Sequence, residues 1–157
     1  DTESVAIFHG RDLFGYCAAK LASGIIDFEG VGPAYPVEEI VTHELLEPIA
    51  KQGRVEGIFE IDDPNFGNLW TNIPTRLFNE SGFAYGEKVH VVISHAGTPV
   101  FDQNVLFHQS FGFAKMGEPI IYNNEMTKIA LAVSRGSFKE QYGVGFGPDW
   151  KVAFSKN

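Results

Sequence analysis

Residues 62–73, Asp-Asp-Pro-Asn-Phe-Gly-Asn-Leu-Trp-Thr-Asn-Ile, put adjacent carboxylates, several side-chain amides and two large aromatics into one short stretch. Asp62 and Asp63 are suited to hold an ammonium or a hydroxyl donor. Asn68 both donates and accepts, which matches the hydrogen-bonding edge of adenine. Phe66 and Trp70 offer faces on which a ring can stack, and Gly67 lets the loop pack closely. The same residues would equally serve a β-turn whose Asp and Asn cap their own backbone while the aromatics enter a core. Composition alone leaves both readings open.

A second constellation precedes it, Phe8-His9-Gly10-Arg11-Asp12. A histidine at a strand-to-helix turn can act as a base or an orienter near neutral pH. Gly10 allows a ligand to approach the backbone, and the start of the following helix favours an anion. The plainer alternative is a turn histidine beside an aspartate cap. His43, His90, His95 and His108 show no metal-ligand spacing and no cysteine joins them, so no metal site is expected. The chain carries no phosphate-binding loop, nucleophile elbow or dinucleotide fingerprint, which leaves nucleotide hydrolysis and acyl transfer without support.

The elements that must position these groups are mostly strands. Val5 to Phe8 reads as a short β-run, and from Asp12 to Ser23 the pattern turns helical, with Leu13, Cys17 and Leu21 four apart. Asp12 suits the first turn and Gly24 the stop. Residues 1–26 therefore read as the end of an α/β domain, and the start at Asp1 as the middle of a longer protein. Residues 27–50, with Gly-Val-Gly-Pro-Ala-Tyr-Pro, read as a linker. Residues 51–157 read as a C-terminal antiparallel β-barrel or sandwich. Arg54–Asp62, Lys88–Phe107 (a hairpin turning at His95–Thr98), Pro119–Asn124, Lys128–Ser134 and Trp150–Ser155 supply its runs, and Pro74–Gly82 adds one helical turn. The fold class is mostly β.

The totals bound the partners. A net charge of −8 argues against nucleic acid or an anionic membrane. No apolar run approaches the ~20 residues that span a bilayer, and no signal-peptide pattern opens the chain. One cysteine, Cys17, excludes an internal disulfide and fits a reducing cytoplasm; among Leu13, Ala18 and Leu21 it reads as a buried small hydrophobe.

Taken together, the two constellations resemble the S-adenosyl-L-methionine hydroxide adenosyltransferases, relatives of fluorinase and chlorinase. The matching segments are Ile7-Phe-His-Gly-Arg-Asp, the Phe66-Gly-Asn-Leu-Trp-Thr-Asn-Ile string, and the later run from Ser110 to Ser137. The resemblance implies an N-terminal α/β domain and a C-terminal barrel-like domain assembled as a homotrimer, with sites shared between subunits. It implies S-adenosylmethionine as substrate with no further cofactor, and attack at its 5′ carbon to give adenosine and methionine. His9 would be the catalytic member of an Asp-Arg-His trio, with Phe8 and Gly10 at the nucleophile position. A hydroxyl-bearing residue stands at the place of Gly10 in the halide enzymes, so the chain leans to hydroxide, although its Trp70-containing string resembles the halogenases. Asp63 would hold the methionine ammonium, with Asp62 as second choice; Phe66, Phe111 and Trp70 would wall the adenine and Asn68 read its edge. Val133 and Arg135 would bound the backbone closing over the base. Asn124-Glu125 stands where the family has Asn-Ser, and a carboxylate at Glu125 would repel a substrate carboxylate. The alternatives are a halogenase-like transferase or a non-catalytic nucleoside-binding or assembly domain.

Overall fold

The computed structural model describes residues 8–42 and 45–156. The chain divides into two compact units, Asp1–Glu44 and Leu45–Asn157. In the first, the expected run Val5–Ile7 lies outside the described residues. His9 already has helical dihedrals, and the helix it opens is π-helical over Gly10–Phe14 before continuing as α1, Gly15–Ala22. Gly24, at φ +70°, stops it, a conformation that glycine adopts without a Cβ clash. Asp12 is not a cap: its carboxylate takes both bonds of a fork from Arg11, at 2.6 and 2.8 Å. Cys17 is half-buried rather than buried.

The second unit is a closed barrel. Its strands are Ile49–Lys51 (β1), Arg54–Asp63 (β2), Asn68–Pro74 (β3), Lys88–His95 (β4), Thr98–Phe107 (β5), Pro119–Asn123 (β6), Lys128–Val133 (β7) and Gly147–Ser155 (β8). Short helices intervene at Thr75–Glu80 (α2) and Phe138–Tyr142 (α3). The sheet order is β1-β2-β3-β7-β6-β5-β4-β8, and β8 pairs back onto β2, so the sheet closes with β1 as an added edge strand. Closure leaves few unpaired edges.

One pairing departs from the antiparallel expectation. β5 and β6 run parallel, with Leu106 opposite Ile120 and Phe107 opposite Ile121. Parallel neighbours need a crossover rather than a tight turn, and residues 108–118 supply it. The β4–β5 hairpin has its two-residue turn at Ala96 and Gly97, with φ 47° and 86°, a geometry whose twist suits adjoining strands.

Phenylalanines fill the interior. Phe78, delivered by α2, stacks on Phe83 at 4.2 Å and meets Phe107 and Phe154 edge-on. Each such ring, fully buried, contributes roughly 2–3 kcal/mol from area alone. β7 is different in kind, since both its faces are covered from Ile129 to Val133. Ile129, Leu131 and Val133 point into the barrel core, whereas Ala130 and Ala132 join Ile120 and Tyr122 in a second cluster, against which Trp70 and Ala114 pack. Lys-Ile-Ala-Leu-Ala-Val therefore shows no polar alternation because something apolar lies on its outer side too.

Candidate functional site

Strand register builds the floor of a groove on that second cluster. Trp70 pairs with Ala130, and Ala130 pairs in turn with Tyr122, so the three occupy one row across β3, β7 and β6. Trp70 and Tyr122 line the groove, while Ala130 lies fully buried beneath them. Phe111 leans over Tyr122, with ring centroids 4.8 Å apart. The groove has a volume of about 980 Å³, ample for a nucleoside-sized ligand.

The β2–β3 turn forms one rim. Asp63 Oδ1 accepts the Asn65 N–H at 3.0 Å, and the Gly67 N–H donates to the Asp63 carbonyl at 2.7 Å. Gly67 sits at φ 66°, and a Cβ there would fall 2.0 Å from Ser137 Oγ. The close approach lets the Lys139 N–H reach the Gly67 carbonyl at 3.1 Å, while Lys139 Nζ pairs with the Asp62 carboxylate. Asp62 is thereby spent on the scaffold, and Asp63 keeps an oxygen that no described residue engages. Phe66 stands 68% exposed on the groove lining. Asn68 is only 6% exposed, and its side chain lies within hydrogen-bonding reach of the Tyr122 phenol, on which it acts.

The segment after β7 forms another part of the lining. Val133, Ser134, Arg135, Gly136 and Ser137 all contribute. Arg135 adopts φ 58°, a left-handed conformation that costs a non-glycine residue roughly 1 kcal/mol or more. Ser137 caps α3 by accepting the Glu140 N–H at 3.1 Å. Glu125, on the β6–β7 turn, lines the same groove. Burial pushes the Tyr122 phenol up to about 12; Trp70 pulls it down, the charges of Glu125 and Asp63 add to the rise, and Asn68 opposes them. Trp70 Nε1 itself is buried and completes no hydrogen bond.

Of the residues expected from sequence, Asp63, Phe66, Asn68, Trp70, Phe111, Glu125, Val133 and Arg135 line this one groove. Asn124 does not reach its surface: its Oδ1 accepts the Met126 and Lys128 N–H groups, at 3.0 and 2.9 Å, and so shapes the turn that carries Glu125. Asn72 is also structural, accepting from the Ile58 N–H at 2.9 Å and donating to the Leu46 carbonyl at 2.6 Å. Phe8, His9 and Gly10 belong to the unit Asp1–Glu44 and are exposed there. Tyr122, Ser137 and Lys139 were not anticipated. The Ser137-x-x-Glu140 spacing followed by Gly143 is a readable helix signal; Tyr122 becomes visible only once β6 is registered against β7. Among the other histidines, His90 is held by Asp102 at 2.7 Å and Ser155 at 3.3 Å, His95 stacks on Trp150, and His108 stacks on Phe113. His43 lies outside the described residues. Among the described residues no three potential metal ligands gather, and no helix is long and apolar enough to cross a membrane.

Comparison with known proteins converges on one group. Residues 57–151, more than half of the chain, match the family model of the SAM hydroxide adenosyltransferase C-terminal domain. The chain is 32% identical over 145 residues to the (R)-S-adenosyl-L-methionine hydrolase of Thermus thermophilus, covering 90% of this chain and 47% of that protein. It is 27% identical over 150 residues to a fluorinase of Actinopolyspora mzabensis, covering 94% and 48% respectively. The crystal structure of an uncharacterized conserved protein from Thermotoga maritima superposes with a TM-score of 0.67 at 27% identity, over 95% of this chain and 52% of that one. The chain thus spans about half the length of the curated relatives it matches.

Proposed function

Because the chain belongs to the SAM hydroxide adenosyltransferase family, we propose that it supplies the adenosine- and methionine-binding half of an enzyme hydrolysing S-adenosyl-L-methionine. The observation that carries this reading is the groove itself. It gathers a carboxylate with a free oxygen (Asp63), a buried amide beside the Tyr122 phenol (Asn68) and aromatic surfaces (Phe66, Trp70, Phe111) on one lining. In this reading Asp63 holds the ammonium, Asn68 reads the adenine edge, and the aromatics sandwich the base. Val133 to Arg135 contribute backbone that closes over it.

The reaction places modest demands on the protein. A water oxygen forms a bond to the 5′ carbon as the carbon–sulfur bond breaks. The bonding pair leaves with sulfur, which becomes the neutral thioether of methionine, and the water loses a proton. Sulfonium is already a good leaving group, so the main tasks are aligning the water and excluding its competitors. We assign His9 to position that water and take its proton. Turnover then requires more than this chain, which covers only about half of its relatives' length.

The test is to incubate the full-length protein with S-adenosylmethionine and quantify products by chromatography. Adenosine and methionine in equal amounts are expected; intact substrate after prolonged incubation overturns the reading. A halogenase-like second reading draws on the similarity to fluorinases, and a 5′-halogenated nucleoside formed in the presence of chloride or fluoride would favour it. A nucleoside-binding module without chemistry would bind adenosine and release nothing. Assembly as a homotrimer in the cytoplasm is proposed alongside, with light scattering of the full-length protein as the check on stoichiometry.

A further inference from the structure

The charges lining the groove are lopsided. Asp62, Asp63, Glu125 and Glu140 are set against Arg135 and Lys139. The Lys139–Asp62 ion pair removes one of each. Asp63 has one oxygen tied to its own turn by the Asn65 N–H, and Glu125 has no hydrogen bond or ion pair among the described residues. Asp63 and Glu125 both act on the Tyr122 phenol, which marks them as neighbours of the same end of the groove, whereas Arg135 is not among the charges felt there. Asn68, buried beside the Tyr122 phenol, adds an amide to the same end of the lining.

A ligand tail reaching this end meets the carboxylates of Asp63 and Glu125. An ammonium is stabilised by both. An α-carboxylate carried on the same carbon as that ammonium is brought against Glu125, and like charges at close range are repelled. An amine tail that lacks the carboxylate keeps the attraction and loses the repulsion.

Resting on the adenosyl-sulfonium reading above, we propose that Glu125 is a specificity-determining residue that selects an adenosyl sulfonium whose tail ends in an amine without a carboxylate. The preferred substrate class is a decarboxylated, doubly cationic sulfonium nucleoside rather than the zwitterionic amino acid form. Because Glu125 is exposed on its turn, the discrimination is moderate and salt-sensitive, about tenfold at low ionic strength.

Calorimetric titration of the full-length protein with adenosine, S-adenosylmethionine and its decarboxylated analogue tests this. The analogue binds about tenfold more tightly than S-adenosylmethionine in the wild type, with the ratio shrinking as salt is raised. Glu125→Gln and, as a second variant of different size, Glu125→Ser both bring the ratio towards unity, circular dichroism reporting that each is folded. If adenosine binds but S-adenosylmethionine binds as well as or better than the analogue, Glu125 does not select and the inference falls alone. A ratio that survives both substitutions overturns it equally. Failure of adenosine itself to bind removes the adenosyl-sulfonium reading, and this inference with it.

Discussion

On the inner side of the β3–β7–β6 wall, Leu69 pairs with Leu131 and Leu131 with Ile121, all three fully buried in the barrel core. One residue along each strand, on the outer side, lies the row Trp70, Ala130 and Tyr122 that floors the groove. The inner row is a set of interchangeable apolar volumes, and its task is to exclude water. The outer row is large-small-large, with Trp70 and Tyr122 reaching the groove and Ala130 fully buried beneath them. Since side chains alternate along a strand, a slip of one residue would exchange the two rows; fold and site are therefore specified by the same register. Core packing along the inner row holds that register, and the outer row inherits its position from it.

The comparison can be broken most severely from the inside. Leu131→Ala removes a fully buried side chain with little room for collapse and is expected to cost about 3 kcal/mol of stability, read as a lower denaturation midpoint. Ligand affinity of the fraction that stays folded should change little. Gly67→Ala acts where the two layers are clamped. The new Cβ would strike Ser137 Oγ at a left-handed backbone position, for roughly 2 kcal/mol, and α3 should loosen, seen as faster amide exchange at Lys139.

Ala130→Leu sharpens the contrast with Leu131→Ala. Ala130 is fully buried under Trp70 and Tyr122. The larger side chain should therefore cost about 1–2 kcal/mol and push those two groove residues out of place, with adenosine affinity falling at least tenfold, about 1.4 kcal/mol. Unchanged affinity in that variant would show that the ligand does not use this floor. The smallest expected effect is on pH dependence. Tyr122 is raised in the fold from 10.0 to about 12, so the folded state binds its proton more tightly than the unfolded chain does. The associated stability is intact below about pH 10 and is lost as pH rises towards 12, by about 1 kcal/mol once partial solvation of the groove is counted. Tyr122→Phe should flatten that decline, followed by denaturant titration across the alkaline range.

Much of the barrel was legible in the sequence because its signals are local. Alternation marks the strands, Ala96-Gly97 marks the hairpin, and Thr75–Glu80 shows its helical turn. The parallel β5–β6 pair was not legible, since nothing local distinguishes a strand that pairs after a crossover from one that pairs after a turn. In the site, the residue types of Asp63, Phe66, Asn68 and Trp70 announced a polar, aromatic lining before any coordinates. The choice between Asp62 and Asp63 did not follow from type; it depends on Lys139, which reaches Asp62 from an element 77 positions away. Asn124 and Asn72 show the converse. Asn124 was expected on the site, and its Oδ1 is held by the Met126 and Lys128 N–H groups; Asn72, in the same string as Asn68, is held by the Ile58 N–H and the Leu46 carbonyl, partners that only folding supplies.

By itself the sequence determined which residues could do chemistry, the β-rich class, and the family resemblance carried by its aromatic-amide string. Those are properties of side-chain type and near-neighbour spacing. Tertiary structure alone decided that Ala130 would separate Trp70 from Tyr122, that Glu125 would share a groove with Asp63, and which carboxylate would remain free. Each of these depends on pairing between segments distant in sequence, which is governed by how the whole core packs rather than by any stretch taken alone.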